Sequence, residues 1–137
     1  MTAKTIPEGF RISKNRGPFA DKIGPLYFKK EDDGSFRYGF LPDESHMNYN
    51  GITHGGMMMS FLDEMMGQTI WLAIGKKRTA TISLNFDFIA SAKVGEWLEM
   101  RCEIVRQGIS VVFIRGELFC GEKVVITADG IWKVIGK

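Results

Sequence analysis

The stretch from Asn48 to Gln68 constrains this chain more than any other. It starts as a polar loop punctuated by glycine and becomes a segment apolar on most of its circumference. From His54 onward the non-apolar positions are Ser60, Asp63, Glu64, Gly67 and Gln68. They recur at i, i+3, i+4, i+7 and i+8, one narrow stripe of a 3.6-residue period. Met57, Met58, Phe61, Leu62, Met65, Met66, Ile70 and Trp71 cover much of the rest. A helix this apolar is a buried helix. Two adjacent carboxylates on it are costly to bury unpaired, because ionised groups resist leaving water. Either a partner or a water-filled cleft must meet the stripe, and a cleft there is the first candidate for an active site.

The whole chain suits one domain around such a helix. Its 137 residues are enough to bury a core, and 45% hydrophobic with 25% charged residues is an ordinary globular composition. The net charge of +2, from 18 basic and 16 acidic residues, argues against nucleic acid or an anionic membrane as partner. The opening residues lack the apolar core of a signal peptide, and no apolar run is long enough to span a bilayer. A cytoplasmic protein is the expectation. Cys102 and Cys120 read as buried reduced thiols, and no Cys/His spacing resembles a zinc site.

In chain order, residues 1–18 read as a loose arm or a short helix around Pro7 to Arg16, ahead of one domain over residues 19–137. Asp33-Gly34 between two aromatic-rich runs signals a hairpin. Pro42 to Thr53 read as a loop, with His46 in solvent. The helix is expected from about Gly55 to Ile74, ended by Gly75 and the basic Lys76, Lys77 and Arg78. Residues 79–88 alternate cleanly as a strand, and residues 97–106, 109–119 and 123–135 supply three more. Four strands joined by short turns predict an antiparallel meander. The class is α+β, a sheet wrapped around one long helix, with apolar residues left over on the outer face for a partner subunit.

Asn48, Gly51, His54-Gly55-Gly56 and Asp63, on a loop running into that helix, resemble the hotdog-fold acyl-CoA thioesterases of the PaaI type. The family pattern is roughly Asn-x-x-Gly-x-x-His-Gly-Gly with an Asp nine residues after the His, and both spacings match. The strand from Thr79, ending near Gly95-Glu96, and the Val105 to Gly108 corner extend the resemblance over roughly residues 20–135. It implies a hotdog fold and hydrolysis of aryl-, short- or medium-chain acyl-CoA. It also implies a homodimer or homotetramer with sites built across the interface, coenzyme A as part of the substrate, and neither a separate cofactor nor a metal. Thr81 stands where some relatives place a Ser. Another branch uses a Glu on this helix, so Glu64 is a second candidate carboxylate.

Thioester hydrolysis needs an attacking oxygen and a stabilised oxyanion. The helix N-terminus offers unpaired amides with partial positive charge, and the Gly56 amide or a neighbour's is expected to face the thioester oxygen. Asp63 is the expected general base or nucleophile. It lies about 13 Å along the helix from His54 at ~1.5 Å per residue, so one helix cannot bring both to one carbonyl. Asn48 and His54 are therefore assigned to one subunit, and Asp63 with Thr81 to its partner. Gly55, Met57, Met58, Glu64, Arg106 and Gly108 are expected along the substrate, the methionines as a pliable acyl tunnel. Lys76, Lys77, Arg78 and Arg106 are candidates for the CoA phosphates. Each residue also has a structural reading: His54 as a helix cap, Asn48 as a turn former, Thr81 as an ordinary strand residue, the methionines as core. A non-catalytic acyl-CoA-binding module on the same fold stays open. A hydratase is disfavoured, because its Asp-x-x-x-x-His loop pattern is not evident.

Overall fold

The computed structural model describes residues 5–136. Residues 1–4 of the expected arm, and Lys137 of the expected domain, lie outside the described residues. The elements run β1 (Arg11–Ile12), α1 (Pro18–Ile23), β2 (Tyr27–Lys30), β3 (Phe36–Phe40), a 3-10 turn (Glu44–His46), α2 (Gly55–Ala73), β4 (Arg78–Phe88), β5 (Leu98–Gln107), β6 (Val111–Cys120) and β7 (Lys123–Gly136). The strands form one antiparallel sheet in the order β1-β2-β3-β5-β6-β7-β4.

Helix α2 forms where its pattern places it. Its buried side chains, Met57, Met58, Phe61, Leu62, Met65, Met66 and Ile70, lie along the face packed on the sheet. They meet Phe40, Leu98, Met100, Val112, Ile114, Leu118 and Ile126 in the core. Phe61 has no exposed surface, and its ring centroid sits 4.7 Å from that of Phe40. Burying such a side chain stabilises the fold by about 1.5–3 kcal/mol. The helix ends at Ile74. Gly75 then takes a φ of +79°, which an L side chain resists. The result is the hotdog arrangement, one long helix wrapped by an antiparallel sheet.

Three expectations need correction. The four last strands are not a simple meander. Short turns do join β5, β6 and β7, but β4 crosses to the far edge and pairs with β7. The connection over residues 89–97 is long enough to make that crossing, and it places β4 beside the polar stripe of α2. The N-terminal helix lies at Pro18–Ile23, not around residues 7–16. Pro18 supplies a first-turn residue with no amide to satisfy, while Arg11 and Ile12 instead pair with Phe28 and Tyr27. His46 is buried, only 6% exposed. Its Nδ1 accepts from the Asp43 amide at 3.1 Å and its Nε2 donates to the Ile23 carbonyl at 2.6 Å. A neutral imidazole satisfies both bonds at once, and the ring bolts the 42–54 loop to α1.

Candidate active site

The loop entering α2 is built by its own polar side chains. Asn48 Oδ1 accepts from the Asn50 amide at 2.9 Å and the Ile52 amide at 3.2 Å. The chain can then turn through Gly51, at φ +83°. The backbone amide of Thr53 reaches the Ala92 carbonyl and that of His54 reaches the His46 carbonyl. His54 is the N-cap of α2, and its Nδ1 accepts from the Gly56 amide at 2.8 Å. That bond uses the amide first expected to face a substrate. The neighbouring Gly55 amide has no partner among the described residues. A side chain at Gly55 would meet the Phe88 ring at 3.1 Å, and one at Gly56 would meet the His54 ring at 3.0 Å. Two glycines in a row let a ligand approach this backbone.

The polar stripe of α2 opens into a cleft of about 770 Å³. One wall is Asp63, Glu64, Gly67, Gln68 and Trp71; the opposite wall is the start of β4, with Trp132 and Ile135 from β7. The third side is the segment Ser13 to Arg16. Thr81 donates its hydroxyl to Asp63 Oδ1 at 2.9 Å. That bond fixes one carboxylate oxygen and leaves the other free to accept a proton. Glu64 faces the other way. Its Oε1 lies 3.6 Å from Arg16 Nη2, with side-chain exposures of 25% and 15%. Burial raises the Glu64 carboxyl above its ordinary value and the neighbouring Asp63 charge adds to this, while Arg16 pulls it back down.

The structure brings Asp63, Glu64 and Thr81 together in this cleft, with Arg78 on its rim. Asn48, His54, Gly55 and Gly56 gather at the opposite end of α2. Met57 and Met58 lie in the core, only 7% and 3% exposed, and neither lines the cleft. Arg106 is exposed beside a bulge in β5, where it pairs with Phe113. Gly108 shares a shallow depression of about 280 Å³ with Lys77. Lys76 lies over the Trp71 ring at 5.5 Å. Sequence reasoning placed Gln68 on the stripe but missed Arg16 and Trp132 as parts of the cleft. A carboxylate on this stripe needed a partner or water, and nothing along the chain said which of eighteen basic residues could meet it. Among the described residues no group of His, Cys, Asp and Glu is placed to hold a metal, and no helix is long and apolar enough to cross a membrane.

A sheet wrapped around one helix, with a carboxylate cleft and a free amide at the helix N-terminus, points to a class, and comparison with known proteins agrees. The Thioesterase superfamily matches residues 50–127, and the chain belongs to that superfamily. It is an enzyme of the thioester-hydrolase class. Among individual relatives, the chain is 28% identical to the candidate esterase PA0474 of Pseudomonas aeruginosa, over 93% of this chain and 96% of that one. It is 24% identical to mouse acyl-coenzyme A thioesterase 13, over 56% of this chain and 54% of that one. In structure it resembles BH2602 of Bacillus halodurans, solved with CoA, at a TM-score of 0.79 and 21% identity, covering 91% of this chain and 83% of that one. A phenylacetic acid degradation-related protein of Ralstonia eutropha JMP134 aligns at a TM-score of 0.75 and 24% identity, over 88% of this chain and 95% of that one.

Proposed function

We propose that this protein hydrolyses acyl-CoA thioesters, of aryl, short or medium acyl groups, to free acid and CoA. The observation that carries the reading is the Asp63 carboxylate, held by Thr81 on one oxygen and open to the cleft on the other. Superfamily membership and the CoA-bound relative support the substrate class. Asp63 acts as general base on a water, or attacks the carbonyl directly. The N-terminal amides of a second α2 receive the developing oxyanion. Gly55 is the free donor there, and the Gly56 amide joins it when the His54 ring turns away. Such a donor lowers the barrier by about 2.7–4 kcal/mol.

Asp63 and Gly55 lie about 12 Å apart along one helix at ~1.5 Å per residue. The site is therefore completed across a dimer, with Asn48 and His54 from one protomer and Asp63 and Thr81 from the other. Exposed apolar residues such as Ile82, Val105, Phe113 and Ile135 are consistent with further association into a tetramer. Arg78, on the cleft rim, is the first candidate for the CoA phosphates, with Lys76 and Lys77 next to it in sequence. CoA enters as substrate, no further cofactor is required, and the enzyme works in the cytoplasm.

Thiol release from a panel of acyl-CoAs tests the reading. Wild type should turn over, Asp63→Asn should lose about 100-fold or more in kcat, and Glu64→Gln should lose much less. Ligand-induced stabilisation of the wild type without any turnover would replace hydrolysis by a binding role.

A further inference from the structure

The segment before α1 lies outside the residues matched to the superfamily, yet it reaches the carboxylate cleft. Arg16 spans the polar stripe of α2. Its Nη2 donates to the Glu64 carbonyl at 3.2 Å and lies 3.6 Å from the Glu64 carboxylate. Its Nη1 donates to Gln68 Oε1. A planar guanidinium can hold three acceptors one helical turn apart, and a lysine cannot. On the other side of the stripe, Asp63 is held by Thr81. The two neighbouring carboxylates are thus pulled to opposite walls by different partners.

We propose that Arg16 is a positioning residue for hydrolysis: by clamping Glu64 and Gln68 to the arm side of the cleft, it leaves Asp63 as the one carboxylate free to act on the thioester or its water. This rests on the proposed thioesterase reading. Without the clamp, Glu64 swings within reach of the Thr81 hydroxyl and of the water that Asp63 must hold. Its uncompensated charge then stands beside that of Asp63. The charged and titratable groups around Glu64 are Arg16 and Lys14 from the arm, Asp63 from its own helix and Arg78 from β4. Tyr38 of β3 also lies near Arg16, and burial pushes its hydroxyl up to about 12. Lys14 and Arg78 are exposed, so water screens them, and Arg16 is the cation that governs Glu64.

The test compares Arg16→Ala, Arg16→Lys and the double variant Arg16→Ala/Glu64→Gln, with two readouts. In steady-state hydrolysis, Arg16→Ala should lower kcat by about 10-fold or more with a smaller change in KM, as misplacement near the chemistry does. Arg16→Lys should recover only part of this, and the added Glu64→Gln should recover most of it. A purely structural role for Arg16 would instead lower thermal stability, with no recovery of kcat from Glu64→Gln. The second readout needs no turnover: the carboxyl carbon of Glu64, followed by NMR across pH, should titrate at higher pH in Arg16→Ala than in the wild type. An unmoved Glu64 titration overturns the clamp even if the protein proves inactive. An unchanged kcat in an active, folded Arg16→Ala overturns the positioning role while the thioesterase reading stands.

Discussion

His54 carries two separable roles, and substitution can pull them apart. The first is structural: its Nδ1 accepts the Gly56 amide at 2.8 Å and caps α2. Loss of an N-cap side chain costs about 1 kcal/mol, within a range of ~0.5–2. The capped amide here is on the solvent side, so water replaces part of the bond and the lower half of that range applies. For a chain of this size, 1 kcal/mol moves the melting temperature by about 3–5 °C. His54→Ala should show that loss. His54→Asn should not, because Asn is among the best N-cap residues. The second role is the proposed one, orienting the thioester. Neither Ala nor Asn places an imidazole there, so both variants should lose about 10²-fold in kcat/KM, the scale of a misplaced reacting group. Thermal denaturation followed by circular dichroism, beside thiol-release kinetics on the same samples, reads both. If Asn fails to restore stability, the Nδ1–amide bond is not what caps the helix. If His54→Asn hydrolyses like the wild type, the ring does nothing beyond capping.

Further outcomes follow from the same geometry. A side chain at Gly39 would run into the Trp97 ring and lie 2.8 Å from the Leu98 carbonyl, so Gly39→Ala should destabilise by about 1–3 kcal/mol or more, the usual cost of overpacking, read by chemical denaturation. Glu64 has a folded-state carboxyl raised above the ordinary 4.5, chiefly by burial. Its stabilising neutral form is therefore present below 4.5 and lost as pH rises through the raised value. Glu64→Gln should accordingly gain melting temperature relative to the wild type at neutral pH, with the gain vanishing below 4.5. Tyr38, raised to about 12 by burial, should make stability fall as pH rises from the ordinary phenol value of about 10 toward the raised one, and Tyr38→Phe should abolish that fall in a denaturation series across pH.

The central helix was legible in the sequence because burial and periodicity are local: Phe61, Leu62, Met65, Met66 and Ile70 announce the buried face, and Asp63, Glu64 and Gln68 the polar one. The strands were legible for the same reason, and so was the carboxylate stripe. What the chain did not show was long-range. Nothing local tells β4 to pair with β7 rather than β5, since its alternation fits either neighbour. The burial of His46 depends on a carbonyl at Ile23, far along the chain, and no periodic signal links the two. Arg16 was hidden likewise in a polar arm without a pattern. The Asn48 loop and the His54–Gly55–Gly56 entry to the helix stood out, yet which glycine amide stays free depends on the rotamer of one imidazole. The methionines looked suited to a tunnel, and Met57 and Met58 prove to be core: a helix face apolar by composition is equally ready to pack on a sheet.

In the proposed dimer, one site takes Asp63 from one protomer and His54 with the Gly55 amide from another. Subunit mixing tests it most directly. Asp63→Asn and His54→Asn are each expected to be nearly inactive alone. Equal amounts, co-refolded so that protomers exchange, should regain about a quarter of wild-type activity, because in a twofold-symmetric dimer half of the random pairs carry one intact site out of two. Recovery toward that level supports a shared site. A mixture as inactive as its parents, with exchange shown by mass spectrometry, would mean that both residues serve the same protomer's site and that no site is shared.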